Sequence, residues 1–88
     1  MKTVRDMKTV RDSKEALRDL GRHRNVSDRI MKAIGDYAVD PRAHANNVAR
    51  LSGSTASRLR VGGFRALLEE SDDEILVTKV APRGSVYD

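Results

Sequence analysis

The spacing of apolar side chains changes period once along this chain, and that change limits the folds open to it. Val26, Ile30, Ala33, Ile34, Tyr37 and Ala38 recur three and four residues apart, which lays one apolar stripe along a helix. From Ser57 the period falls to two. Ser57-Arg58-Leu59-Arg60-Val61 alternates polar and apolar, so Arg58 and Arg60 leave the same face of a strand. Helical patterning first and strand patterning afterwards predicts an α+β fold, with helices packed on one face of an antiparallel sheet.

Local signals set the boundaries. Asp12-Ser13-Lys14-Glu15 has the form of a capping box, an acceptor followed three residues on by a glutamate. The helix it opens runs to about Leu20, with Ala16, Leu17 and Leu20 on one face and Gly21 as its stop. A second helix starts at Asn25 or Ser27 and ends at Asp40-Pro41, because proline disfavours α geometry in the residue before it. An α-helical hairpin is the simplest reading. Residues 42–57 are polar and read as a long connection holding one helical turn. Gly62-Gly63 is a hairpin signal of the primed kind. Strands over 64–70 and 74–80, joined by Ser71-Asp72-Asp73, complete a three-strand antiparallel meander that Pro82 closes. At the other end, MKTVRD occurs twice, at 1–6 and 7–12. Two copies of six residues are too short for a repeat architecture. Residues 8–11 are predicted to form a short strand, residues 1–7 a loose extended start, and residues 8–88 a single domain.

Eighty-eight residues hold one modest core, and the absence of cysteine excludes disulfides as staples. A protein partner is then the expected source of added stability. No apolar run reaches the roughly 18 residues that span a bilayer, so a soluble, cytoplasmic chain is expected. Charge is unevenly placed. Residues 1–65 carry 15 Lys/Arg against 7 Asp/Glu, whereas residues 66–88 carry 2 against 6. Twelve of the 17 basic residues are arginine, whose planar fork suits phosphate. The only aromatics are Tyr37, Phe64 and Tyr87, which argues against a binder that stacks successive bases on rings. His23 and His44 lack any metal-ligand spacing.

Arg58-Leu59-Arg60-Val61-Gly62-Gly63-Phe64-Arg65 resembles the R-x-R-V-G-D-[YF]-R core of RelE/ParE-family toxins. The following strand with its acidic turn, and the ending Pro82-Arg83-Gly84-Ser85-Val86-Tyr87, resemble that family's last strand and close. Asp40-Pro41, followed about ten residues later by Leu51 and a glycine turn, is similar to the family's link between helix pair and sheet. The resemblance covers roughly residues 8 to 87. It departs from the pattern at Gly63, where the family carries aspartate, and at Arg58 and Arg60, where RelE-like members often carry lysine.

The resemblance implies the toxin of a type II toxin–antitoxin system, in the RelE-like branch, which enters the ribosomal A site and cuts mRNA there. It implies Arg65, Arg83 and Tyr87 as catalytic residues and Arg58 and Arg60 as RNA-binding ones, with no metal and no cofactor. The implied partners are a cognate antitoxin, in a hetero-oligomer, and ribosome-bound mRNA with rRNA; no membrane is involved. The chemistry suits these residue types. In metal-independent cleavage the ribose 2′-OH attacks the adjacent phosphate, so the protein must stabilise a phosphorane and protonate the leaving 5′ oxygen. Arginines keep their charge at any accessible pH and serve the first task, while being poor proton acceptors. Arg83 and Arg65 are expected on the scissile phosphate, and Arg58 and Arg60 on its neighbours. Tyr87 is expected to stack on a base or to transfer the proton. Two other functions fit the same fold: a ParE-like gyrase inhibitor without nuclease activity, and a decayed toxin that only binds its antitoxin.

Overall fold

The computed structural model describes residues 8–51 and 56–84; the expectations for residues 1–7 and for Tyr87 lie outside them. Strand β1 (Thr9–Asp12) is followed by helices α1 (Lys14–Arg22) and α2 (Arg24–Val39). Then come a 3₁₀ segment (Pro41–Asn47) and strands β2 (Val48–Arg50), β3 (Ala56–Val61), β4 (Phe64–Glu70) and β5 (Glu74–Pro82). One five-stranded sheet runs in the order β1-β5-β4-β3-β2. β1 pairs parallel to β5, and all other pairs are antiparallel.

The helical stripe is where the spacing put it. Ile30, Ile34, Tyr37 and Ala38 are buried, with Val26 and Ala33 packed against them. They meet Leu59, Ala66, Leu68, Ile75, Val77 and Val80 of the sheet. Full burial of each large aliphatic side chain contributes about 1.5–3 kcal/mol. On α1 the expected face is turned slightly. Ala16 and Leu20 are buried, but Leu17 is exposed and Asp19 takes an inward position. The cause lies in β5, where a bulge opposite Leu67 and Leu68 breaks the ladder register and α1 supplies the missing partners. The Ser13 hydroxyl donates to the Thr78 carbonyl at 3.1 Å, and Asp19 Oδ2 accepts from the Val80 N–H at 2.9 Å.

The start of α1 also differs from the expected box. Ser13, not Asp12, is the cap, its hydroxyl accepting from the Ala16 N–H at 3.0 Å. Glu15 therefore falls too early to reach back to the cap, and pairs instead with Lys79 at 3.0 Å. Asp12 ends β1 with Oδ1 buried and, among the described residues, without a hydrogen-bond partner. Burial raises its pKa. Gly21 does not stop the helix; α1 continues through Arg22, and His23 alone (φ −123°, ψ 52°) breaks it from α2.

Two further elements depart from expectation. The stretch read as a long connection contains β2, three residues on the edge of the sheet, so the meander is extended by one strand. Pro82 is the last residue of β5 rather than beyond it, opposite Phe64, and the ladder is carried on by the Arg83 N–H donating to the Gly63 carbonyl at 2.7 Å.

In the β3–β4 turn, Gly62 alone of the two glycines has positive φ, 59°, the pattern of a type II′ hairpin. A Cβ built on either would meet nothing within 4 Å, so conformation alone separates them. Gly62→Ala is expected to cost about 1–2 kcal/mol, the penalty of a left-handed residue with a side chain. Gly63→Asp, which restores the family's residue, is expected to be neutral or to stabilise by up to about 1 kcal/mol through the unfolded chain. Urea unfolding of the two variants checks the contrast.

Candidate functional site

The β3–β4 register sorts its side chains cleanly. Ser57 pairs with Leu68, Leu59 with Ala66 and Val61 with Phe64; Ala56 pairs with Glu69, Arg58 with Leu67 and Arg60 with Arg65. Leu59, Ala66 and Leu68 lie in the core under the helices, so the second set faces away from them. Arg58, Arg60 and Arg65 thus share one side of the sheet, as strand alternation requires.

Arg60 and Arg65 are direct cross-strand partners. Like charges placed opposite one another are destabilising, so this pairing is not what a merely solvated sheet face would favour. Arg65 is only 7% exposed, and its Nη1 donates to the Phe64 carbonyl at 3.2 Å. Arg60 is exposed. Together with Arg58 they line a cavity of about 90 Å³, completed by Asn46, Asn47, Val48 and Ala49. That is the space of about three water molecules, enough for a phosphate group and too small for a base pair. Asn46 and Asn47 close the cavity from the 3₁₀ segment, and the sequence reading did not pick them out. Their only signal was an ordinary one, two amides in a polar connection.

Arg83 is not among the residues lining this cavity. It follows β5 at the same end of the sheet, its amide bonded to Gly63 beside the β3–β4 turn. Continuing the register puts it two residues beyond Ala81, the partner of Arg65. Tyr87 lies outside the described residues. His23 packs its ring edge-on against Phe64, centroids 4.9 Å apart; Val61, the partner of Phe64, is buried with the helices, so this contact sits on the opposite side of the sheet from the arginines. His44 sits at a kink in the 3₁₀ segment. Glu69 shares the arginines' side, diagonal to Arg58, whereas Glu70 is held by Lys8 and Tyr37. Among the described residues no group of three His, Asp or Glu could hold a metal ion, and no helix is long and apolar enough to cross a membrane.

No protein-family model matches the sequence, and no curated protein matches it. Solved structures do match the fold. A chain of the RelE–RelB complex from the archaeon Pyrococcus horikoshii gives a TM-score of 0.73 at 21% identity, over 91% of this chain and 99% of that one. A chain of the RelBE2 toxin–antitoxin complex from Mycobacterium tuberculosis gives 0.69 at 24% identity, over 88% and 99%. One from the DinJ–YafQ toxin–antitoxin complex of E. coli gives 0.64 at 13% identity, over 93% and 99%. At these identities the matches establish the fold: over nearly its whole length the chain has the RelE-like fold.

Proposed function

We propose that the chain is the toxin of a type II toxin–antitoxin system and acts as a ribosome-dependent mRNA endonuclease. The observation that carries the reading is the cavity of about 90 Å³ ringed by Arg58, Arg60 and Arg65. The fold supports it, because its matches are chains from toxin–antitoxin complexes.

In this reading one RNA phosphate enters the cavity. The 2′ oxygen forms a bond to phosphorus and loses its proton. The phosphorus–O5′ bond breaks, and O5′ takes up a proton. A 2′,3′-cyclic phosphate and a 5′-hydroxyl result. Arg60 and Arg65, facing each other across β3 and β4, hold the non-bridging oxygens as their charge grows; arginine–phosphate hydrogen bonds are among the strong, charge-assisted ones. Arg58 and Arg83 hold the flanking phosphates; Arg60 takes the place on the scissile phosphate expected of Arg83, because Arg60 lines the cavity and Arg83 does not. Tyr87 transfers the proton. Asn46 and Asn47 are placed to donate amide N–H bonds at the rim. The antitoxin is a protein with an acidic segment that folds on binding and covers this basic side.

Induction of the chain without its antitoxin tests the reading. Transcripts truncated within codons, appearing as translation stops, are expected. Intact transcripts with replication arrest and DNA-damage signalling would point to a ParE-like gyrase inhibitor. Unaffected growth would leave only a partner-binding protein.

A further inference from the structure

Strand β2 separates two cavities, and only one of them belongs to the arginine cluster. The other, about 310 Å³, lies between α2, the 3₁₀ segment and the edge of the sheet. It is lined by Tyr37, Pro41, Ala45, Val48, Arg50, Ser57 and Glu70. Arg50 and Ser57 are cross-strand partners in the β2–β3 ladder, so they form adjoining parts of its wall.

The polar groups of this cavity are unequally satisfied. Ser57 is only 5% exposed, yet among the described residues its hydroxyl makes no hydrogen bond. Its oxygen is not sealed from solvent but lines the cavity, so it is open to an acceptor that enters. Arg50 makes no ion pair among the described residues. Glu70, by contrast, is fully engaged: Lys8 Nζ donates to Oε1 at 3.1 Å and the Tyr37 hydroxyl donates to Oε2 at 2.5 Å. Burial first, and then the bond to Glu70, raise the Tyr37 pKa, so the phenol keeps its proton and goes on donating. What the cavity offers a visitor is therefore two donors, one of them a cation, beside an apolar wall of Pro41, Ala45 and Val48.

We infer that this cavity is an anchor site for a carboxylate side chain of the protein partner, held by the Arg50 guanidinium and the Ser57 hydroxyl. The inference rests on the reading above in taking a protein partner to exist. A free phosphate would meet the donors with polar surface alone and leave the apolar wall without a partner. The methylenes of an acidic side chain pack against Pro41, Ala45 and Val48 while its carboxylate meets the donors. RNA is the poorer fit, since a single arginine stands here beside a carboxylate, while three arginines ring the other cavity. Charge complementarity points the same way: a chain with net charge +4 and an exposed arginine that makes no ion pair among the described residues favours an acidic partner.

The test is an NMR titration of the full-length, ¹⁵N-labelled chain with four probes: blocked glutamate (N-acetyl, N′-methylamide), its glutamine counterpart, inorganic phosphate and a short single-stranded RNA. Blocked glutamate is expected to give saturable shifts at Val48, Arg50 and Ser57, with a Kd on the order of millimolar. Glutamine, and the variants Arg50→Gln and Ser57→Ala, should each weaken binding by about fivefold or more, the effect of one lost hydrogen bond of about 1 kcal/mol. Arg60→Ala should leave it unchanged. Equal binding of glutamine, shifts at Arg58 and Arg60 instead, or stronger binding of phosphate or RNA in this cavity would overturn the inference. Amide spectra of each variant verify that it is folded. The nuclease reading fails separately: a chain that leaves mRNA intact but binds blocked glutamate here retains the anchor site, and Arg50→Gln should cut mRNA at the wild-type rate.

Discussion

Arg60→Ala is expected to lower the rate of mRNA cleavage on the ribosome by about 10²- to 10³-fold, the loss seen when one pre-organised donor to a developing negative charge is removed. Arg60 is the right member of the trio to change because it is exposed, so its loss removes charge without opening a hole. Arg65 is buried and bonded to the Phe64 carbonyl, so Arg65→Ala would mix a stability defect into the kinetics. The same argument gives a second, opposite signature. Arg60 stands directly across from Arg65, and removing one of two opposed like charges relieves their repulsion. Stability should therefore stay level or rise while activity collapses. Arg60→Lys keeps the charge but loses the planar fork, and should recover part of the rate. Arg29→Ala, on the exposed side of α2, should leave it unchanged. Single-turnover cleavage of a defined ribosome-bound message, beside thermal melts of the same preparations, checks all four statements. Cleavage by Arg60→Ala within a few-fold of wild type would remove the cavity from the mechanism.

The legible parts of this fold are those fixed by periodicity over many residues. The stripe from Val26 to Ala38 and the alternation from Ser57 to Val61 each repeat often enough to name an element and its buried side. They also placed Arg58 and Arg60 on one face. Gly62-Gly63 fixed the hairpin, and the hairpin register then set Arg65 opposite Arg60. What escaped was decided by contacts distant in sequence. Strand β2 has three residues, too few for a period, and exists because β3 has a free edge to pair with. Asn46 and Asn47 join the arginine cavity only because β2 brings the preceding 3₁₀ segment alongside. The inward Asp19 and outward Leu17 follow from a bulge some sixty residues later, which local patterning cannot announce. The cap slipped by one residue, to Ser13, for a related reason: Asp12 is drawn into β1 by its pairing with Val77.

Asp19 is where that long-range dependence should be felt most in stability. Its carboxylate is 5% exposed and accepts from the Val80 N–H at 2.9 Å, while Arg22, largely in solvent, approaches it at 3.5 Å. Val80 is itself 1% exposed, so no water stands ready to replace the acceptor. Asp19→Ala is expected to cost about 2–3 kcal/mol, the range for a hydrogen bond to a charged group whose partner is then left buried and unsatisfied. For a chain of this size that corresponds to a fall in Tm of roughly 10–20 °C. Two controls separate the hydrogen bond from the ion pair. Arg22→Ala should cost well under about 1 kcal/mol, because an exposed pair contributes little. Asp19→Asn keeps a carbonyl oxygen for Val80 and should fall between the two. Urea unfolding of the three variants at low and high salt decides the matter, since the bond to Val80 is shielded from solvent and its contribution should survive salt. An Asp19→Ala chain as stable as wild type would mean that the bulge in β5 does not depend on α1 for its missing partners.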